Sequence, residues 1–463
     1  MKYPHLISKC IPQRWIVSIE CFLCLTISYT MRFCLSLAMT QMTEIEGAKE
    51  DPHACPFPSN YNKTKQHKTY EFHWTSLEQG YIHQGMFYGY LATQIVGGVL
   101  GDLCDHKVVM LTGFITTAFL TLISPFVVRT LGMIAFIILR VAIGMAQGVF
   151  YNSLHAVTAH WIPIQERGLL GTLVFSGVQF GNALNCLFSG ILLAYFDWPV
   201  VFYCYGIIAL MFAVVVFFTT YTYPKDNPYM SDKEKEIFEE HQKTVDEERI
   251  DKKKVPVKAI LTSIPVWAIV FAMLGQDWAF YSIVVTIPTY INSVLHINIE
   301  QNGAINALVY IVLWLIGMLS GWVSDFVNKK QWIPLTWNRR ILYLLGMLFP
   351  ALGFVGVSYS ECNIPFAISS LVIGLSTLGF FYPSVKVNPM DLSPNFAGSI
   401  GSLANTGGCL SGVIVPFVNG ALTPNGFKEE WRVYFWISFV ITLLGGLSFF
   451  LLASAEIQPF NEF

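Results

Sequence analysis

The sequence predicts an all-α membrane protein of twelve transmembrane helices in two pseudo-symmetric six-helix bundles. Three observations carry that prediction. Charged residues make up only 13% of the 463-residue chain and hydrophobic ones 54%. A soluble domain carries about 25% charged residues, so most of this exterior must face lipid. Apolar windows long enough to cross a bilayer recur along the chain. They fall into two groups of six, separated by one long polar stretch, 224–258, which holds 19 of the 58 charged residues (28 basic plus 30 acidic).

A spanning helix takes about 20 mostly apolar residues at 1.5 Å each. Windows that qualify lie at 15–39, 77–99, 108–128, 132–156, 169–194 and 200–221, and again at 260–290, 303–324, 341–359, 365–387, 397–420 and 432–454. The first 14 residues hold Lys2, Lys9, Arg14 and two prolines, and no small-residue cleavage site ends the apolar run that follows, so the first window reads as a retained helix. The expected division is an N-terminal bundle over 1–223 with a long loop at 41–76, a connector over 224–258, and a C-terminal bundle over 259–463.

Basic residues of short loops set the orientation. Arg14, Lys107, Arg167, Lys329, Lys330, Arg339 and Arg340 all fall on one side if both termini are cytosolic. The loop 41–76 then faces the opposite side and carries Asn62-Lys63-Thr64, the only N-x-S/T sequon and so the candidate glycosylation site. Cys55 and Cys362 share that oxidising side, which permits a disulfide, although nothing in the sequence brings them close.

The two groups read as copies. Gly98-Val-Leu-Gly-Asp102 ends the second window and Ser320-Gly321-Trp-Val-Ser-Asp325 the eighth, each followed closely by lysine. Gly168, Gly171, Gly177 and Gly190 recur as Gly398, Gly401, Gly407 and Gly420, always 230 positions apart (398 − 168). Glycines let helix backbones approach in lipid, and repeated halves with a site at their interface mark secondary transporters.

Several function classes are excluded. A net charge of −2 does not suit a nucleic-acid binder. Ten cysteines, mostly inside apolar runs, show no zinc spacing. No nucleophile elbow, phosphate loop or metal-ligand pattern appears, so no enzyme, metal site or cofactor is expected.

Ionisable groups inside a bilayer mark pathways. Arg32, His83 and Arg140 sit at one depth in the first half, about 9–12 Å from one membrane face at 1.5 Å per residue. Arg140, Gly144, Gln147, Tyr151 and His155 form one helical stripe, and His83, Phe87, Tyr90, Gln94 and Gly97-Gly98 another. Arginine suits an anion carrier, because its planar fork matches carboxylate or phosphate oxygens. The competing expectation pairs the arginines with Glu20, Glu78 or Asp277 as helix clamps. Asp277, the acid deep in the seventh window, is the candidate for Na⁺ or a proton, with a helix-to-helix hydrogen bond as the alternative. His83 is a titrating group or a structural one. Lys386 is expected to snorkel. Asp102 with Lys107, and Asp325 in the second half, are expected to form a cytosolic latch.

The G-x-L-x-D…K pattern resembles the loop motif of the major facilitator superfamily. The chain further resembles solute carrier family 17, the sodium/phosphate and vesicular organic-anion transporters. Matching residues run through Pro12-Gln-Arg14, Arg32, Gln79-Gly80, Gly89-Tyr90, Gln94, Arg140, Gly144, Gly148, His155, Trp161, Glu166-Arg167, Trp278, Tyr290, Val387-Asn388, Asp391 and Glu429-Glu430-Trp431. The resemblance implies a major facilitator fold and anion transport. It implies departures as well: proton-coupled members carry glutamate where this chain has Gln147, and vesicular glutamate carriers carry arginine where it has Gln276. The phosphate and mixed organic-anion branch is the better match.

The expected function is therefore alternating-access transport of phosphate or a small organic anion by a monomer, with Na⁺ symport preferred. The alternatives are a proton-coupled, sialin-like carrier of an acidic organelle, or a non-transporting receptor or scaffold on the same fold. With no acidic dileucine signal in either tail, the plasma membrane is preferred over lysosomal or vesicular membranes.

Overall fold

The computed structural model describes residues 12–45, 55–56, 70–103, 105–163, 166–231, 234–238, 256–394 and 396–462; the side chains of 44–45, 95–103 and 167–169 lie outside the description. Among the described residues ten helices are long and apolar enough to cross a membrane. The helices are α1 (Gln13–Met42), α2 (Ser76–Leu103), α3 (His106–Trp161), α4 (Arg167–Tyr195) and α5 (Pro199–Thr219), followed by α6 (Ile264–Ser293), α7 (Ile299–Lys330), α8 (Leu335–Ser358), α9 (Ile364–Leu392), α10 (Ala397–Leu422) and α11 (Lys428–Leu452).

At 56 residues α3 is far too long for one crossing, and it breaks at Gly132, whose φ of 77° and ψ of −170° leave helical space. Glycine meets no penalty at such a φ. The arms on either side of the break contain the predicted windows 108–128 and 132–156. Helix ends are capped by the expected chemistry. Glu78 reaches back to the Thr75 amide at the start of α2 (2.8 Å), Asn298 caps α7, and Glu430 accepts from the Phe427 amide at α11 (3.2 Å). Asp105 caps α3 and also accepts from Thr222. Partial burial opposes its charge, but the Thr222 hydroxyl and the Lys107 and Val108 amides outweigh that and hold its carboxyl below the usual range.

Two compact units emerge, one of Met1–Arg32, Tyr88–Asn182 and Pro199–Lys253, the other of Phe33–Phe87, Ala183–Trp198 and Lys254–Phe463. In the first unit, α5 packs along α3. The 224–258 stretch, expected to be a solvated connector, contributes a structural clamp here. Glu234 is 3% exposed and accepts from the Gln13 and Arg14 amides at 3.0 Å each, satisfying orphan donors at the start of α1. The Arg14 guanidinium pairs with Glu234 at 3.3 Å and with Glu166 at 2.7 Å. Removing one member of a buried ion pair costs about 3 kcal/mol or more. We expect Glu234→Ala to unfold several degrees below the parent in detergent, followed by intrinsic fluorescence. An unchanged transition would mean that water replaces the carboxylate without loss.

In the second unit, α6 packs on α10 and α11, and α8 on α9 and α11. Trp278 donates to Ser438 at 3.1 Å, and Tyr290 stacks edge-on against Trp431 and Phe435. Thr43–Ile45 and Phe72–Trp74 form a short parallel strand pair, Thr43 opposite Phe72. Cys55 and Cys362, 307 residues apart, are joined as a disulfide. Cys21 and Cys24, a C-x-x-C spacing inside α1, are buried free thiols.

The duplicated glycines make corresponding contacts. A Cβ built at Gly177 of α4 would fall 2.7 Å from the Phe22 carbonyl oxygen of α1, and one at Gly407 of α10 would fall 2.8 Å from Val270 of α6. Gly190 lies against Gly303 of α7 and Gly420 against Ser76 of α2. A Cβ at Gly171 or Gly401 would meet nothing within 4 Å. Equivalent packing at equivalent positions is what duplication requires.

Candidate functional site

The stripe on the second arm of α3 faces α1. Arg140 Nη2 donates to the Arg32 carbonyl at 3.3 Å, and seven residues later Gln147 Nε2 donates to the Ser28 carbonyl at 3.3 Å. Arg32 and Arg140 are each 3% exposed and Gln147 is 2% exposed. The Arg32 guanidinium lies over the Tyr90 ring at 4.3 Å and near the Tyr29 ring at 5.4 Å. Ring faces attract a desolvated cation by about 2 kcal/mol. Tyr151 completes the wall, edge-on to Tyr90 at 6.4 Å and to His155 at 4.7 Å.

Close helix contacts explain why these residues meet. At Gly89 an added Cβ would strike the Val141 carbonyl, and at Gly148 it would strike Thr93, so α2 and α3 touch backbone to backbone around the arginines. The result is two buried permanent cations on helices that touch, with aromatic rings and a buried carboxamide on the same helices. Two of the three acids expected to clamp them, Glu20 and Glu78, have hydrogen-bond partners of their own. Glu20 accepts from Thr220 at 2.6 Å, and Glu78 is committed to the α2 cap.

The remaining candidates are distributed elsewhere. His83 belongs to the second unit, where it lines a small crevice with Gln79, Thr289, Asn419, Thr423 and Trp431. Asp277 is half-buried on α6. The side chain of Asp102 lies outside the described residues, as does Asn62. Lys107 donates to the Phe217 carbonyl at 2.8 Å. Asp325 is exposed, while Arg339 forms an ion pair with Asp391 at 2.9 Å. Gln147 and Gln276 are both buried, and neither Oε1 has a hydrogen-bond partner among the described residues. These are the two positions where the family resemblance implies charge.

Sequence reasoning missed one group. Glu234 was hidden in a charge run that looked merely solvated. Lys386, expected to snorkel, is the one charged residue of the 365–387 window and is exposed.

The profile of the Major Facilitator Superfamily matches residues 21–416. Human sialin is 31% identical over 457 residues, covering 97% of this chain and 91% of that protein. The chain belongs to the major facilitator superfamily, in its solute carrier family 17. A putative inorganic phosphate cotransporter of Drosophila melanogaster is 28% identical, covering 98% of this chain and 87% of the relative. Human vesicular glutamate transporter 2 is 29% identical, covering 98% and 76%. Among solved structures, an inward-facing, occupied bacterial homolog of the human lysosomal transporter Spinster aligns with a TM-score of 0.70 at 13% identity, covering 96% of this chain and 97% of that one. A D-xylose–proton symporter aligns at 0.66 and 15% identity, covering 98% and 100%. These two likenesses establish the fold alone. The protein is an integral, multi-pass membrane transporter and not an enzyme.

Proposed function

We propose that this protein moves small anions, inorganic phosphate or organic carboxylates, by alternating access, coupled to Na⁺ through Asp277. The observation that carries this reading is the buried pair Arg32 and Arg140, framed by Tyr90, Tyr151 and Gln147. A planar guanidinium fork matches the oxygens of carboxylate or phosphate and keeps its charge when buried. A neutral Gln147 where proton-coupled members carry acid favours Na⁺. The second reading, a proton-coupled organic-anion carrier of an organelle, is favoured by the 31% identity to sialin and the likeness to a vesicular glutamate transporter.

The proposed architecture has twelve spans, counting the two arms of α3 separately, in bundles over 1–223 and 259–463, functional as a monomer in the plasma membrane. Purified protein in proteoliposomes, given labelled phosphate, urate or glutamate with Na⁺ and pH gradients imposed separately, tests both readings. Uptake driven by Na⁺ at constant pH supports the first. Uptake driven only by the pH gradient supports the second.

Topology follows the same proposal, with both termini and the 224–258 connector cytosolic. Asn62 should carry glycan and yield a faster band after glycosidase treatment. The connector should resist protease added outside intact cells. Cleavage there would invert the orientation.

A further inference from the structure

Where the spanning helix α7 ends, three aromatic rings stack on the outside of the protein. Trp322 and Phe326, one turn apart, lie ring on ring at 5.9 Å, and Trp332 meets Phe326 edge-on at 5.4 Å. Trp322 is 67% exposed and Trp332 66%, while Phe326 and Ile333 are exposed as well. The helix ending sets this arrangement. Gln331 turns left-handed at φ 51°, its amide donates to the Asn328 carbonyl at 3.1 Å, and the Trp332 amide donates to the Val327 carbonyl at 3.4 Å. Such a closure folds the residue after the cap back onto the last helical turns, which brings Trp332 to Phe326. The last turn carries Lys329 and Lys330, both exposed. Neither ammonium has a partner among the described residues. The arginines of α8 are committed instead. Arg339 pairs with Asp391 at 2.9 Å, and Arg340 donates to the Ala453 carbonyl at 2.9 Å and lies over the Trp337 ring at 5.4 Å. The stretch 322–340 holds these four basic residues and one acid, Asp325, which is exposed a turn before Lys329.

The position of the ladder decides what covers it. α7 is long and apolar enough to cross a membrane, so the exposed rings of Trp322 and Phe326 face lipid, and the lysines at its end stand at headgroup depth. A soluble partner does not reach rings on a spanning segment. Aromatic rings collect at membrane edges in general, and that preference is indifferent to headgroup charge. Two uncommitted ammonium groups are not indifferent. Each lysine at a membrane surface favours anionic lipid, and two together do so by about 10- to 30-fold. We propose that the end of α7 and the turn into α8 bind one anionic phospholipid, its phosphate held by Lys329 and Lys330 and an acyl chain laid along Trp322, Phe326 and Trp332. The site does not depend on which solute the protein carries. Occupied, it fastens the α7–α8 turn to the membrane.

The test titrates the full chain, purified in a neutral detergent, with dioleoyl phosphatidylglycerol or dioleoyl phosphatidylcholine and follows melting by intrinsic fluorescence. Phosphatidylglycerol should raise the melting temperature saturably, and phosphatidylcholine at the same mole fraction should not. Lys329→Gln combined with Lys330→Gln should weaken the apparent affinity for phosphatidylglycerol by about 10- to 30-fold, while melting like the parent in phosphatidylcholine. Trp332→Ala keeps every charge but removes one ring of the ladder, and it should weaken the same affinity several-fold. Equal stabilisation by the two lipids overturns the proposal, as does a phosphatidylglycerol effect that survives the loss of both lysines. An effect that follows the lysines but ignores Trp332 reflects diffuse attraction to a charged surface and overturns the site as well. Stabilisation that tracks protein concentration instead of lipid, with a dimer in solution, gives the face to a second copy and has the same consequence. The comparison of the two lipids on the unmodified protein stands even if a variant fails to fold.

Discussion

Replacing Arg140 by alanine should lower initial anion uptake per folded molecule by roughly 10- to 100-fold, while Arg140→Lys keeps an intermediate rate. Hydrogen bonds to charged groups contribute about 1.5–3 kcal/mol, and each 1.4 kcal/mol is about a factor of ten. Lysine preserves the positive charge but not the bidentate fork. Arg32 differs in its setting. Its guanidinium rests on Tyr90 at 4.3 Å, so Arg32→Lys also loses planar stacking and should fall closer to Arg32→Ala. The measurement is uptake into proteoliposomes normalised to monodisperse protein. A structural arginine would behave otherwise: the alanine variant would aggregate or degrade, and whatever survived would transport normally. Parental affinity in well-folded Arg140→Ala would remove the residue from the anion site.

The second large effect concerns the close glycine contacts within the second unit. A Cβ at Gly303 of α7 would strike the Cys186 carbonyl of α4, and one at Gly80 of α2 would fall 2.6 Å from the Pro416 carbonyl oxygen of α10. Backbone carbonyls inside helices cannot swing aside as a flexible side chain can. Gly303→Leu should therefore block the close approach of α4 and α7 and disfavour this conformation by the 1–3 kcal/mol or more typical of overpacking. Turnover should drop by roughly 10- to 100-fold or vanish. Gly171→Leu is the matched control, because a Cβ there meets nothing within 4 Å. Normal turnover in Gly303→Leu, with the same amount of folded protein, would show that this contact is not made and broken during the cycle.

The candidate residues were legible because intramembrane charge is rare. Arg32, Arg140 and Asp277 stood out among apolar neighbours, and helical spacing already placed Arg140, Gln147 and Tyr151 on one face. Spacing said nothing of what that face meets. Only packing revealed that Arg140 binds the carbonyl of Arg32 and that the Tyr90 ring receives the Arg32 guanidinium. Nor did spacing show that Glu20 and Glu78, named as alternative partners of the arginines, are each engaged by a threonine nearby.

The sequence by itself determined the fold class, an all-α chain that crosses a membrane repeatedly, and displayed the repeated glycine spacing. Transfer free energy and helical periodicity act over about twenty residues, and the 230-residue glycine offset survives whatever the helices touch. Tertiary structure alone decided the pairings across long separations: Cys55 with Cys362 over 307 residues, and Glu234 with the start of α1 over 221. Such contacts depend on the tilt and rotation of each helix, which are set by all its neighbours together. A rotation of one residue, about 100°, would turn any of these side chains away from its partner without altering a single local pattern.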